Sequence, residues 1–580
     1  MTEPAAPAVQ VPIVEPTVTP RWRPSTVRMT QRRKPSVVPR RGMVALPALA
    51  SGVGLALSLP PWGWWILAFP AAGLLWWRLG GLRPRTRLWA GYLAGLGCYV
   101  PGLMWARSFT VPGAIVLIAV EAGFTAVACL AVPAGGTLAR ALAFPAALTL
   151  SEAARMAWPF GGLPLGGVFL GQAGGPVLGV ARLGGPLALT AVVYIGGVAM
   201  GPLGEAAARA VRDGARVRAF ATRGPDTVNP AEDGGPTGGW RRIVTGAVAG
   251  LGPLALAGVV AAVLAVGVSV GADHAPDGGG SVGTVSAAAV QGGGARGFSK
   301  SQIKPSVVLA AQMSETRLLA GRGAAPQLVL WPEDVVSLDT ALSDSPEQSV
   351  LSTLARTLHT TLVVGVTEDI SATAFRNEAV AFGPDGTLVS RYEKVHRVPF
   401  GEYVPYRGFF AHLANLSAVP LDAVPGTGTG LLPTPAAPLG AMISYEVFYA
   451  DRGRSSVRDG AQLLIVPTNT SSYATAQVPT QEIAASRIQA VQQGRDLLQA
   501  APAGYSAAIT HRGVVLRRSV LGAPQIVMAD LSRRVGWTLY VRFGDLPPLV
   551  LAALALITGW WVAGRRSRLR TRHHEGPSSS

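Results

Sequence analysis

The chain has 580 residues, of which 49% are hydrophobic and only 14% charged, and its mean hydropathy is +0.34. Soluble domains carry about a quarter charged residues, so a wholly water-soluble protein is excluded. The net charge of +18 raises nucleic acid as a partner, but the Arg/Lys clusters lie at 21–41, 78–87, 209–223 and 565–572, beside apolar runs. Positive charge placed there fixes orientation in a bilayer and meets anionic headgroups, whereas a nucleic-acid face interleaves it with aromatics.

Residues 1–41 are rich in Pro, Val and Arg without helical periodicity and are expected to be a disordered basic cytoplasmic tail. They lack a signal-peptide layout, because the first apolar run starts late and others follow. A bilayer-spanning helix needs about 20 mostly apolar residues. Candidates are 42–59, 62–77, 88–106, 112–133, 138–157, 183–203 and 245–270, with an eighth at 547–563. The stretch 158–182 is apolar but broken by Gly and Pro, which suits a re-entrant or interfacial segment. Both cysteines, Cys98 and Cys129, fall inside these runs and read as small buried hydrophobes. No disulfide framework and no Cys/His metal spacing is present, so neither metal nor cofactor is expected.

Charge predicts the orientation. The segment 21–41 holds eight Arg/Lys, the 204–244 loop seven Arg, and the end Arg565, Arg566, Arg568, Arg570 and Arg572, while the turn around Leu59–Gly63 has none. Cytoplasmic loops carry the Lys/Arg excess. Both termini are therefore expected inside, with seven spans at 42–270, an extracytoplasmic domain at 271–546, one span at 547–564 and a basic cytoplasmic tail at 565–580.

Within the outer domain, Gln327–Leu330, Leu362–Val366, Glu378–Phe382, Gly440–Ser444 and Gln462–Val466 are short apolar runs of strand length. A helical pattern is expected at 481–499, and GPDG at 383–386 marks a hairpin turn. Strand–helix alternation predicts an α/β layered domain, in which reactive groups sit at strand ends. Glu333, Lys394 and Ser444 stand at such places. Singly they are ordinary residues, but the chain holds 46 arginines and only four lysines, Lys34, Lys300, Lys304 and Lys394. Against that bias, Lys394 suggests a need for a compact, orientable ammonium.

The strings WPE (331–333), YEKVHRVPFGEYVP (392–405) and ISYE (443–446) together resemble the nitrilase, or carbon-nitrogen hydrolase, superfamily. With FRNEAVAFGPDG (375–386), PTN (467–469), SRIQAVQQGR (486–495) and RFGDLP (542–547), the chain from about 42 to 563 is similar to apolipoprotein N-acyltransferases. The resemblance implies a multi-span helical bundle with a nitrilase-like αββα sandwich. It implies Glu333 as general base, Lys394 stabilising the oxyanion, Ser444 as nucleophile, and Glu402 orienting the lysine or shaping the pocket. Tyr445, Glu446, Asn469 and Tyr473 fall at substrate-binding positions. The implied reaction passes an acyl chain from phospholipid, through an acyl-enzyme, to the amine of a lipoprotein's N-terminal diacylglyceryl-cysteine, in the cytoplasmic membrane and without a cofactor.

The chain departs from that pattern at the nucleophile, where the family has cysteine and this sequence Ser444. A thiol of pKa about 8.5 gives thiolate readily, whereas a hydroxyl needs strong base help, and a carboxylate of pKa near 4.3 supplies little. Ser472–Tyr473 stand where the family has Trp-Phe, and Gln499 and Pro502 replace Arg and Asn. Two readings follow: an acyltransferase using Ser444, or a silent paralogue that binds lipoprotein or lipid and assists another enzyme. A small-amide amidase leaves the spans without a purpose.

Overall fold

The computed structural model describes residues 41–108, 110–221, 255–294, 304–320, 326–412, 416–417, 419–471, 473 and 476–572. Residues 1–40 of the tail expected at 1–41, residues 222–254 with the start of the span expected at 245–270, Ser472 and the end at 573–580 lie outside the described residues, while Arg41 opens a helix. The first half folds into helices α1 Arg41–Ser58, α2 Ala68–Leu79, α3 Pro84–Gly102, α4 Val111–Ala131, α5 Thr137–Ala157, α6 Ala181–Ala221 (bent at Gly184 and Gly185) and α7 Ala255–Asp273. A closing helix covers Leu546–Arg572. Four stretches, Val111–Ala131, Pro176–Pro202, Ala255–Asp273 and Leu546–Arg565, are long and apolar enough to cross a bilayer. The chain is a multi-pass membrane protein.

Large apolar side chains point outward from these helices, among them Ile115, Val116, Val263, Leu551 and Ile557. Small residues face inward, where lipid gives no hydrophobic drive and backbone proximity supplies the packing. A Cβ on Gly95 would lie 2.6 Å from the Ala122 Cα, and one on Gly197 would lie 2.5 Å from the Ala72 Cβ.

Between α4 and α5 lies a buried ion cluster. Arg155 Nε is 2.8 Å from Glu121 Oε2, Nη1 is 2.6 Å from Glu152 Oε1, and Nη2 donates to the Leu165 carbonyl at 2.6 Å. The third contact fastens the Gly/Pro-broken segment, which forms two short 3-10 turns, Val168–Gly174 and Pro176–Val180, tucked among other residues. Irregular backbone is tolerated at membrane depth only where protein covers it. Replacing Arg155 by Met strands two buried carboxylates and is expected to cost roughly 3–5 kcal/mol. The loss should appear as a lower unfolding temperature in detergent, and Glu121→Gln with Glu152→Gln in the same chain should recover most of it.

The α/β domain is built from two sheets. The first runs β14-β1-β2-β4-β5-β6, with β1 Ser281–Gln291, β2 Leu328–Leu330, β3 Val336–Leu338 (on β4), β4 Thr361–Ser371, β5 Ala374–Phe382, β6 Leu388–Glu393, β7 Asp422–Ala423 (on β5) and β14 Gln525–Arg534. The second runs β13-β12-β11-β10-β9-β8, with β8 Leu431–Leu432, β9 Leu439–Ala441, β10 Leu463–Pro467, β11 Leu497–Ala500, β12 Ala507–Ile509 and β13 Val515–Arg518. Side chains alternate along a strand, and the alternation here assigns the layers. Val285, Ala287, Ala289, Leu328, Leu330, Val363, Ala379 and Ala381 meet Leu439, Ala441, Leu463, Ile465, Leu498 and Ala500 between the sheets. The intervening Ala288, Val290, Val329, Leu362, Val364 and Val380 face the helices Pro305–Arg317 and Pro346–Leu358. On the far side, Leu464, Val466 and Leu497 pack with Ile483, Ile488 and Val491 of the helix Gln477–Gln493, in a core continuous with the membrane helices. The order of layers is helix, sheet, sheet, helix.

Two expectations need correction, and one strand was not foreseen. The helix expected at 481–499 ends at Gln493, because Gly494 takes a left-handed φ of +63°, and residues 497–500 become strand β11 instead. Strand β1 was not foreseen: its SVGTVSAAAVQ is alanine-rich, and alanine is a poor strand former until two covering layers leave room for nothing larger. Ser444 does not end a strand, since β9 stops at Ala441 and Ser444 opens a 3-10 turn, Ser444–Phe448.

The helix Gln477–Gln493 is bolted to the bundle. Gln477 Oε1 accepts from the Trp105 amide at 3.0 Å and its Nε2 donates to the Pro101 carbonyl at 2.6 Å. Gln481 Oε1 accepts from the Gly166 amide at 3.0 Å and its Nε2 donates to the Gly102 carbonyl at 3.1 Å. The turn bearing Ser444 therefore lies beside residues 158–167 of the membrane bundle.

Candidate active site

Glu333 follows β2, Lys394 follows β6, and Asn377 lies in β5 between them. Backbone bonds fix the lysine on both sides: its amide donates to the Asn377 carbonyl and its carbonyl accepts from the Gly426 amide, each at 2.9 Å. The buried ammonium reaches Glu333 Oε1 at 2.8 Å and Glu402 Oε1 at 2.7 Å. Asn377 Nδ2 donates to the same two oxygens, at 2.9 and 3.2 Å. Glu402 Oε2 accepts from the Val398 amide at 2.7 Å, so both oxygens of this carboxylate are occupied. Glu333 Oε2 has no hydrogen-bond partner among the described residues. Burial alone would lower the lysine's pKa, but Glu333 and Glu402 together hold it above the ordinary value. Burial raises the Glu402 pKa against the pull of Lys394, and Glu333 adds to the rise. An ammonium has three N–H donors, and two are committed among the described residues.

Ser444 has φ +50°, a region that L-residues other than Gly and Asn rarely enter. It is half-buried while Ile443 and Tyr445 on either side are buried, so the turn lifts one hydroxyl out of a covered run. The turn is held by Glu446, whose Oε2 accepts from the Ile443 amide at 2.8 Å and whose Oε1 accepts from the Val395 and His396 amides at 2.8 and 3.1 Å. The Tyr392 hydroxyl closes the set at 2.9 Å. Glu446 thus ties the segment after Lys394 to the turn of Ser444 through both of its oxygens. The Tyr445 hydroxyl donates to the Gly162 carbonyl at 2.9 Å, as does that of Tyr449 at 3.0 Å, so Tyr445 anchors the turn to the broken membrane segment. Asn469 Oδ1 accepts from the Ser471 amide at 3.3 Å, shaping its own loop. Tyr473 packs edge-on to Trp105 at 5.5 Å and lies close enough to Glu482, Lys394, Glu333 and Glu402 to feel their charges.

Sequence reasoning missed three polar residues. Asn377 was inside the quoted FRNEAVAF string without a role. Thr468 Oγ1 lies 3.3 Å from Ser444 Oγ and also meets Glu482 Oε1 in a very short contact. Glu482, fully buried on the helix Gln477–Gln493, gave no signal because a single carboxylate on a helix reads as a solvated face.

The family model described as apolipoprotein N-acyltransferase N-terminal domain matches residues 51–199, and that of carbon-nitrogen hydrolase matches 286–536. A Mycolicibacterium smegmatis protein named apolipoprotein N-acyltransferase is 29% identical over 529 residues, covering 88% of this chain and 84% of that one. The chain is thus similar to apolipoprotein N-acyltransferases over both its membrane part and its α/β part. A Geobacter metallireducens member is 29% identical over 43% of this chain and 47% of its own, about half its length. Among solved structures, a Helicobacter pylori carbon-nitrogen hydrolase covers 43% of this chain and 89% of its own at 17% identity and TM-score 0.33. An amidase from Nesterenkonia sp. covers 45% and 94% at 20% identity and TM-score 0.34.

Proposed function

We propose that the protein transfers an acyl chain from phospholipid to the N-terminal amine of a diacylglyceryl-cysteine lipoprotein, through an ester on Ser444. One observation carries this reading: a half-open hydroxyl on a left-handed turn that Glu446 ties to the segment directly after Lys394, whose buried ammonium is gripped by two carboxylates. A site released from catalysis has no reason to keep Lys394 desolvated between Glu333 and Glu402.

In the first half-reaction Ser444 Oγ attacks the ester carbonyl of the phospholipid. Its proton passes to a carboxylate, Glu333 Oε2 being the free atom of the cluster. The uncommitted N–H of Lys394 steadies the oxyanion, help that is typically worth 10²–10³-fold in rate. Collapse breaks the bond between the acyl carbon and the glycerol oxygen, and the proton returns to the departing alkoxide. In the second half-reaction the lipoprotein amine attacks the acyl-serine, loses a proton, and Ser444 regains its hydroxyl. Glu402 and Asn377 position Lys394, Glu446 and Tyr445 position the turn, and Asn469 and Tyr473 line the acceptor side. The arginine-rich segments support a topology with both termini in the cytoplasm and the α/β domain outside. The domains divide at 1–41, 42–270, 271–546, 547–564 and 565–580.

The replacement of thiol by hydroxyl favours a second reading, a lipoprotein- or lipid-binding paralogue without turnover. Purified protein in vesicles with acyl-labelled phosphatidylethanolamine and a diacylglyceryl-cysteine peptide separates them. Label on the peptide amine, absent with Ser444→Ala, supports the transferase; peptide binding with no transfer supports the paralogue.

A further inference from the structure

Glu333 cannot easily serve a serine by itself. Its Oε1 is held by the Lys394 ammonium and by Asn377, which leaves only Oε2 to take up a proton. A thiol tolerates that, because it ionises readily, but a hydroxyl does not. A chain that exchanged the thiol for a hydroxyl and stayed active needs a stronger acceptor nearby.

The structure holds one. Thr468, at the C-terminal end of β10, has its hydroxyl 3.3 Å from Ser444 Oγ and on the other side meets Glu482 Oε1. Ser444, Thr468 and Glu482 form one hydrogen-bonded line running from the turn to the helix Gln477–Gln493. Glu482 sits at 1% exposure with no cation bonded to it among the described residues. Its other oxygen accepts from Gln499 Nε2 at 3.3 Å. Gln499 is itself fixed, donating to the Tyr505 carbonyl at 2.9 Å and accepting from the Ser486 hydroxyl at 2.6 Å. The helix beneath is locked to the membrane bundle through Gln481, the residue before Glu482. Burying a carboxylate without a bonded counter-ion is costly.

We infer that Thr468 and Glu482 form a second proton route for Ser444, in which the serine proton moves to Thr468 Oγ1 as the threonine proton moves to Glu482 Oε1. This rests on the reading of Ser444 as the acylated nucleophile. As Ser444 Oγ bonds to the acyl carbon, its O–H bond breaks and Glu482 becomes the neutral acid. When the tetrahedral intermediate collapses the two protons step back, and the departing glycerol alkoxide takes one up. No oxidant, reductant or metal is involved. Thr468 touches the reacting atom, while Glu482 acts through it.

Burial raises the Glu482 pKa to about 8, with the Glu333 carboxylate adding to the rise while the Thr468 hydrogen bond and Lys394 oppose it. Among the described residues, Tyr473 also lies close enough to feel the charge of Glu482. A base is most effective when its pKa is near the working pH. The sign is fixed: the route needs the carboxylate, so acylation should rise with pH through about 8.

The test measures single-turnover acylation of the full-length protein in phosphatidylethanolamine vesicles, without acceptor peptide. Glu482→Gln and Thr468→Val are each expected to slow acylation about 10- to 100-fold, and the pair together no more than the worse one. Thr468→Ser should restore the rate, and Glu482→Gln should flatten the pH limb that wild type shows. In a Ser444→Cys background, Glu482→Gln should change the rate by less than about threefold, because a thiol does not depend on the relay. Unchanged acylation and an unchanged pH profile in Glu482→Gln would overturn the relay and leave the acyl-serine intact. So would an equal loss in the serine and cysteine backgrounds, which marks a structural strut. If wild type forms no adduct on Ser444, the acyl-serine reading fails and the relay falls with it.

Discussion

Lys394→Met is expected to lower acyl transfer by about 10²- to 10³-fold and to lower stability as well. The methionine fills the lysine's volume but removes the charge that separates Glu333 and Glu402, which then share a buried space with Asn377 alone. Removing one partner of a buried ion cluster costs roughly 3–5 kcal/mol. The two effects can be separated. Adding Glu402→Gln to Lys394→Met should restore much of the unfolding temperature, since only one carboxylate then needs a partner. It should restore none of the rate, because the oxyanion donor is still missing. Lys394→Arg should not rescue either, as a planar fork does not fit where two oxygens lie 2.8 and 2.7 Å from one nitrogen. The pH behaviour follows from the direction of the shift. The lysine's pKa is raised in the folded state, so its stabilising contribution is fully present below its unfolded value of about 10.4 and lost only as pH rises through the folded value. Transfer assays between pH 6 and 9 should therefore show no limb belonging to Lys394.

Ser444 should behave in the opposite way. Ser444→Gly is expected to abolish acylation and to raise stability, because φ +50° suits glycine and strains serine. A left-handed residue with a side chain costs about 1–2 kcal/mol, and the gain will be smaller than that since glycine also loosens the unfolded chain. Ser444→Thr keeps the hydroxyl but adds a branch at Cβ in a region where such residues are outliers. It should lower both the unfolding temperature and the acylation rate. A turn that is more stable without its nucleophile is strained for the sake of the hydroxyl it presents. Thermal unfolding in detergent and single-turnover acylation, measured on the three proteins, check the pattern. Equal stability of Ser444→Gly and wild type would mean that the turn stores nothing.

Much of this was legible from residue patterns, and the parts that were not share a cause. Spans such as Val111–Ala131 announce themselves because lipid demands a continuous apolar run. The strands at 328–330 and 463–467 announce themselves because both faces are covered. Glu333, Lys394 and Glu402 were found together through strings resembling a family, and the ion cluster bears out their proximity. What stayed hidden depends on long-range contacts. The alanines of β1 make a strand only between two layers. The residues LLQA at 497–500 extend a helical pattern until Gly494 turns left-handed. The Arg155 cluster joins residues 34 positions apart, and Thr468 and Glu482 meet Ser444 only after β10, the Ser444 turn and the helix Gln477–Gln493 are assembled. Glu446 was expected to contact substrate, yet its oxygens are taken by backbone amides and Tyr392. A carboxylate that organises a turn and one that meets a substrate look the same in a sequence.

The most direct test is mass spectrometry of the Ser444-containing peptide after the intact protein is incubated in phosphatidylethanolamine vesicles without acceptor. One fatty acyl chain esterified to Ser444, stable to neutral but removed by alkaline hydroxylamine and missing from Ser444→Ala, is the predicted result. An unmodified peptide in wild type, under conditions where Ser444→Cys becomes acylated, would contradict it and leave a protein that binds lipid without reacting with it.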